Sequence, residues 1–324
     1  MKPRNLVLVA PAALLVACGS DETPTATPTP SATQTGSAIS YTAFEELQGA
    51  QTFQSACAVL DVTDDPASPA AEGVFSFAEA AGLEFDLSDD QQTWTITGDT
   101  LDLVFGPADL RDNGDDDIIL YQRQIASGFI QTFALTDPDL DDGVGDDDAE
   151  FLRLTGLQVE RSDDRVKNYT CVIGVPIDAA DTLPSDSFSF DDLEGFGVLY
   201  RTEAGSVVVE YLLDDTEAEV EIDRAQGRLR VTLDLEGEFS SNNAGTGDGD
   251  EFGIFTADIP FNGDPRDFAG PLLDTDQNEV GEFTGVFFGP EGGELGIVFS
   301  ADSTDESGLP ISFIGAVIED RDDD

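Results

Sequence analysis

The chain has 324 residues, 68 acidic against 14 basic side chains, a formal net charge of −54, and no histidine. Such a charge repels nucleic acid and anionic lipid. The missing imidazole excludes Ser-His-Asp and Cys-His nucleophile systems, His-rich zinc or iron sites and histidine-ligated haem.

Lys2 and Arg4 precede an apolar run over residues 6–17, LVLVAPAALLVA, which leads into Cys18. A charged start, a short apolar core and a small-residue end are the parts of a secretory signal. About a dozen apolar residues are too few to cross a bilayer as a helix, so 1–17 reads as a signal peptide and not an anchor. Leu15-Val16-Ala17-Cys18 resembles the bacterial lipobox, which implies acylation of Cys18. Gly19 in the next position implies sorting to the outer membrane, with the lipid as the sole membrane attachment and the protein exposed at the cell surface. Thr, Pro, Ser and Ala dominate 18–39, where almost nothing is large enough to pack. That composition makes a flexible linker between lipid and domain.

Residues 40–185 read as an antiparallel β domain. Tyr41 to Leu47 forms at most one helical turn, and the candidate strands are Gly73–Phe77, Thr93–Thr97, Leu101–Phe105, Ile118–Ile125, Gly128–Leu135, Phe151–Glu160 and Tyr169–Val175. Asp-, Asn- and Gly-rich loops separate them. With Cys18 assigned to lipid, Cys57 and Cys171 remain, and in an exported protein two remaining cysteines form a disulfide, here closing a loop of about 115 residues. The loops DNGDDD (112–117) and DPDLDDGVGDDD (137–148) are oxygen-rich. Asp137, Asp139 and Asp141 alternate as in a calcium loop, but the glycine comes one place late, and solvated acidic tips are the other reading.

Residues 186–324 contain nine candidate strand segments: Ser187–Phe190, Phe196–Thr202, Val207–Leu213, Glu219–Arg224, Arg228–Leu235, Phe252–Ile259, Glu282–Phe288, Leu295–Ala301 and Ile311–Ile318. Joining the first two as one bent strand leaves about eight, the number whose closure gives a barrel filled by its own side chains. In the fifth segment Leu229, Val231, Leu233 and Leu235 share one face, while Arg228, Arg230, Thr232 and Asp234 share the other. Arg228, Arg230, Glu219 and Glu221 at outward positions are unlike the apolar band of a porin.

The most informative stretch is 279–299, EVGEFTGVFFGPEGGELGIVF. Phe-rich runs flank Gly289-Pro290-Glu291-Gly292-Gly293, which makes a β-hairpin, and Gly285 and Gly296 inside the strands mark a bend or a close approach. The pattern carried by Phe283, Gly285, Phe287, Phe288, Gly289, Pro290, Glu294, Gly296 and Phe299 resembles the barrel signature of the transferrin-binding-protein-like surface lipoproteins. Gly174-Val175-Pro176-Ile177 with Ala180-Asp181-Thr182-Leu183-Pro184, and 218–235 (AEVEIDRAQGRLRVTLDL), are similar to two further segments of that family. The resemblance implies an all-β architecture: an N-terminal antiparallel β handle domain (40–185) followed by a C-terminal eight-stranded antiparallel β-barrel (186–324). The FFGP hairpin occurs once, which implies a single handle and barrel.

Family members capture iron proteins, haem carriers or complement regulators. The resemblance therefore implies a non-catalytic binding module for an extracellular protein or carrier, acting as a monomer, with no cofactor and no catalytic residue. No ligand-contacting residue of the family can be placed on this sequence, and ligation of haem by one of the five tyrosines stays open. Two other classes compete: a two-carboxylate hydrolase, and an acidic, cation-binding envelope protein with no specific ligand. The acidity itself has two readings, adaptation to salty surroundings or attraction of a basic partner. Screening of self-repulsion predicts a higher melting temperature in molar salt than in dilute buffer; equal values in scanning calorimetry would remove that expectation.

Overall fold

The computed structural model describes residues 41–64, 67–77, 82–112, 118–125, 129–136, 149–160, 165–203, 207–239, 250–263 and 265–321. Among them the only helical pieces are two 3-10 turns, Phe44–Glu46 and Pro290–Gly292. The fold is all-β and antiparallel, as expected.

The first sheet contains β1 (Gln51–Asp64), β2 (Ala67–Phe75), β3 (Glu84–Leu87), β4 (Trp94–Gly98), β5 (Leu101–Phe105), β6 (Leu110–Arg111), β7 (Ile118–Gln124), β8 (Ile130–Thr136), β9 (Leu152–Glu160) and β10 (Arg165–Gly174). Its spatial order is β5-β4-β3-β1-β10-β9-β8-β7-β6, with β2 paired to β1 alone. The sheet curls around Phe85, Trp94, Phe105, Phe133 and Tyr169, bringing its two ends together. There the Arg123 guanidinium donates to the Val104 carbonyl and lies 5.1 Å from the Phe105 ring centroid.

The central strand β1 is missing from the sequence expectation, as are β3 and β6. Alanine, serine and glutamine in QTFQSACAVLDVTD weaken a propensity signal, yet small side chains are what a strand needs when another layer packs on each face. Cys57 sits in that strand directly opposite Cys171 of β10, Cα atoms 4.1 Å apart, and the two form a disulfide inside the core.

The second sheet closes on itself: β11 (Phe188–Glu203), β12 (Val207–Asp223), β13 (Arg228–Phe239), β14 (Asp250–Pro260), β15 (Asp267–Leu273), β16 (Glu279–Phe288), β17 (Glu294–Thr304) and β18 (Pro310–Asp320) follow one another around a barrel. Eight strands were expected, but by a different count. Val207–Leu213 and Glu219–Arg224 are one strand broken by a bulge, and β15 is absent from the expected set because Gly270 and Pro271 interrupt its pattern. Pro271 is tolerated where the ladder is thinnest, since β14 and β15 meet only at Thr256 and Leu273.

Leu229, Val231, Leu233 and Leu235 fill the interior together with Phe190, Phe252, Phe283, Phe287, Phe299 and Phe313. Arg230 pairs with Glu221 at 2.6 Å and Arg228 with Asp258 at 2.6 Å on the wet outer face. The wall made by β16, β17, β18 and β11 has no wet face. Val286, Phe288, Val298, Ile314, Ala316 and Phe196 turn outward from it and pack on Ala56, Ala58, Leu60, Leu152 and Val172 of the first sheet.

The disulfide spans a sequence separation of 114. Replacing both cysteines by alanine should lower the unfolding free energy by about 4–5 kcal/mol on the chain-entropy account. A urea titration showing an unchanged midpoint would mean that loop closure contributes nothing.

Candidate functional site

The hairpin β16–β17 sends the motif side chains into two environments. Phe283, Phe287 and Phe299 point into the barrel. Phe288 points the other way, into the layer shared with the first sheet, edge-on to Phe77 at 6.0 Å. Gly285 makes room for the Phe268 ring, which a Cβ would approach to 2.2 Å. Gly289, with φ of 66°, lies under the Phe151 ring, 2.5 Å from where a Cβ would stand. Gly296 faces Val172, and Pro290 opens the 3-10 turn between the strands.

Glu294 closes this arrangement. It is 2% exposed, and its Oε1 accepts the backbone N–H of Glu150 at 2.6 Å and of Phe151 at 2.9 Å. Burial pushes its carboxyl up to about 7; the two N–H donors and Arg153 oppose that rise, and nearby Asp320 adds to it. Arg153, itself buried, donates to the carbonyls of Ala149 and Leu152 and lies 4.9 Å from the Phe44 ring centroid.

The same pole holds Tyr41. Its hydroxyl donates to Asp181 Oδ2 at 2.8 Å and accepts the Asp178 N–H at 2.8 Å, while Glu291 N–H also reaches Asp181 at 2.9 Å. Arg266 donates to the carbonyls of Asp178 and Asp181. Burial raises the Tyr41 hydroxyl above the ordinary phenol range. Burial also works to raise the Asp181 carboxyl, but the Glu291 N–H, Tyr41 and the Thr182 N–H hold it below its usual value. The backbone is tied as well, with Gly289 N–H to Val175 O at 3.0 Å and Ile177 N–H to Phe287 O at 3.1 Å.

A second polar group joins β1, β2, β10 and the turn between β4 and β5. Arg165 holds buried Asp61, Lys167 pairs with Glu72 at 2.7 Å and Asp99 at 3.0 Å, and the Tyr169 hydroxyl donates to Asp99 at 2.7 Å. Burial alone would lower the Lys167 ammonium; Glu72 and Asp99 reverse that and raise it. At the opposite pole of the barrel Arg201 pairs with Glu203 at 3.0 Å and Asp250 at 3.1 Å and lies 4.7 Å from the Tyr211 ring centroid. Burial pushes the Tyr211 hydroxyl up to about 12.

Four tyrosine hydroxyls have hydrogen-bond partners in the protein: Tyr41 and Tyr169 as described, Tyr211, which accepts from Arg201, and Tyr200, which accepts from Asn168 at 3.5 Å. Burial shifts Tyr41, Tyr121 and Tyr211 upward. Among the described residues no group of three or more Cys, Asp or Glu is placed to hold a metal ion, and no helix is long and apolar enough to cross a membrane. Cys18, the signal and linker segments, and Asp137, Asp139 and Asp141 lie outside the described residues.

Sequence reasoning found the motif as a turn and missed that it is a junction. It also missed Tyr41, Arg153, Lys167 and Arg266. Scarcity is the available signal, since a chain with only 14 basic residues and 5 tyrosines has few such side chains to place.

No protein-family model matches this sequence, and no curated protein matches it. Solved structures with a similar fold include a transferrin binding protein B double mutant from Haemophilus parasuis Hp5, at 13% identity over 81% of this chain and 44% of that one, TM-score 0.41. Isotype 1 transferrin binding protein B from serogroup B Neisseria meningitidis is 14% identical over 82% of this chain and 43% of that one, TM-score 0.39. The apo haemoglobin receptor HpuA from Kingella denitrificans is 14% identical over 86% and 90%, TM-score 0.32. The chain spans less than half the length of those transferrin binding protein B structures. These are distant likenesses, and nothing about a ligand of this chain follows from them.

Gly285 gives a sharp test of the packing. Gly285→Ala should destabilise the fold by about 1–3 kcal/mol through overpacking against Phe268, read from the shift of a denaturant midpoint. A neutral substitution would show that the ring can move aside.

Proposed function

We propose that this chain is a surface-anchored bacterial lipoprotein, tethered through acylated Cys18, that works as a non-catalytic binding module for an extracellular protein or carrier. The observation that carries the reading is the position of Tyr41. It begins the described chain just after the linker and is tied to Asp181 beside the motif turn, at the pole where β11 starts and β18 ends. The strand ends Glu203, Val207, Thr304 and Pro310 gather at the other pole of the barrel, as their cross-strand pairs require, and β2 reaches that side through Ala71 N–H to Asp302 and Ser312 Oγ to the Pro69 carbonyl. A linker leaving from one pole points the loops of the other away from the membrane. Loops on a packed scaffold are where recognition is most easily built.

Iron- or haem-protein acquisition is the finer reading that the sequence resemblance supports. In a chain with no histidine, iron bound directly would have oxygen ligands, whereas capture of an iron-carrying protein as cargo needs no side-chain ligation. The net charge of −54 favours a second reading, an acidic envelope coat without a specific ligand.

Two measurements separate these. Cys18→Ser should move the protein from the membrane fraction to the soluble one, and continued retention contradicts the anchor. The purified mature chain, immobilised in growth medium or serum, should retain a single partner at physiological salt. Release of all cationic proteins together as salt rises is the coat's behaviour and would overturn the binding module.

A further inference from the structure

Closure of the barrel leaves one length of strand edge uncovered. β14 bonds to β13 from Asp250, opposite Gly237, to Pro260, opposite Arg228, but meets β15 only through Thr256 and Leu273. β15 is the shortest strand of the barrel and stops there, and the chain turns back through 274–278 into β16. Toward the tether pole β15 still lies alongside, with Ile259 filling the space that Gly270 leaves. Toward the pole that holds Arg201, residues 250–255 run on with a partner strand on one side alone. Alternate N–H and C=O groups of such a strand point along its free edge.

This free length is held from inside. The Phe252 ring lies 4.9 Å from that of Tyr211 and the Phe255 ring 5.0 Å from that of Phe313, while Arg201 pairs with Asp250 at 3.1 Å. The outer side is different. Among the described residues the exposed large apolar side chains are Val104, Leu110, Ile119 and Ile254, and only Ile254, 44% exposed, belongs to the barrel. A fixed strand with an unpaired edge and an uncovered apolar side chain is what a second extended segment adds to. Because the strand is already ordered, the entropy cost of that addition falls on the partner.

Charge selects the occupant. Across the ladder Ile254 stands opposite Asp234, and Glu251 opposite Glu236, so carboxylates surround the apolar side chain and like charges face each other. The cations of the same wall, Arg228 and Arg230, lie toward the tether pole, paired with Asp258 and Glu221. A second copy of this chain is a poor occupant, since it brings the same carboxylates and a formal net charge of −54. A cationic strand complements both the charge and the edge.

We propose that residues 250–255 of β14 are a strand-addition site, where an extended, lysine- or arginine-bearing segment of a partner protein pairs through its main chain and lays an apolar side chain on Ile254. Main-chain hydrogen bonds supply the attachment, and basic side chains toward Asp234 and Glu251 supply the selection. The site rests on the reading of the chain as a binding module, and it names the chemistry of the partner.

A blocked peptide of alternating lysine and valine is the probe. Added to the mature chain at physiological salt, it should slow amide hydrogen exchange within 250–255 and leave Ile297 and Phe299 of β17 unchanged. The same peptide with its amides N-methylated keeps its charge but has no main-chain donors, and should bind at least about tenfold more weakly. Ile254→Lys, at an exposed position, should weaken binding of the unmodified peptide about tenfold while the melting temperature stays unchanged. Equal binding of the two peptides would mean charge attraction alone and overturns the site, as does an absence of protection. Protection within 250–255 that grows with protein concentration and needs no peptide gives the edge to a second copy and also overturns it. A single partner retained from serum equally by wild type and Ile254→Lys would remove this edge and leave the binding module standing; no retained partner would remove the module itself.

Discussion

The wall of the barrel formed by β16, β17, β18 and β11 is buried on both sides, and this constraint organises the molecule. Its inner face contributes Phe283, Phe299 and Phe313 to the barrel core, and its outer face contributes Phe288, Val298 and Ile314 to the layer against β1 and β10. A strand with two dry faces cannot stand alone in water, because exposing either side costs about 1.5–3 kcal/mol for each large apolar side chain uncovered. The first sheet is therefore required by the barrel, and the small side chains of β1, Ala56 and Ala58 among them, let it approach closely.

The polar ties follow from that packing. Once Phe288 and Val172 are covered, the backbone around 149–151 is drawn to the end of the barrel, and its N–H groups need acceptors away from water. Glu294 supplies them, while Arg266 and Tyr41 satisfy the 175–184 connection on the other side of the turn. The hairpin that looks like a local feature is the place where the linker side of the molecule, the first sheet and the barrel are joined.

Charge is divided in the same way. Several of the described cations are placed inside the structure or across its strands: Arg165 on Asp61, Lys167 between Glu72 and Asp99, Arg201 between Glu203 and Asp250. These pairs hold strands together, and apart from buried groups such as Glu294 and Asp305 most of the other described carboxylates face solvent. The large negative charge is thus a property of the surface, felt by any partner before contact and weakened by salt over about 10 Å.

Sequence alone determined the secondary-structure class, the turn at Gly289 to Gly293, the inward set of Leu229 to Leu235 and the pairing of the two cysteines left after Cys18. Each depends on local chemistry: alternation with a period of two, residues that turn cheaply, and an oxidising compartment. It did not determine β1 or β15, the dry outer wall, or the role of Glu294. A strand dry on both faces loses its alternation, glycine and proline hide a strand that survives at a thin seam, and the partners of Asp61 and Glu294 lie 104 and 143 to 144 residues away. Only folding brings such pairs together, so only the tertiary structure could show which of 68 acidic residues is buried at the joint between the two sheets.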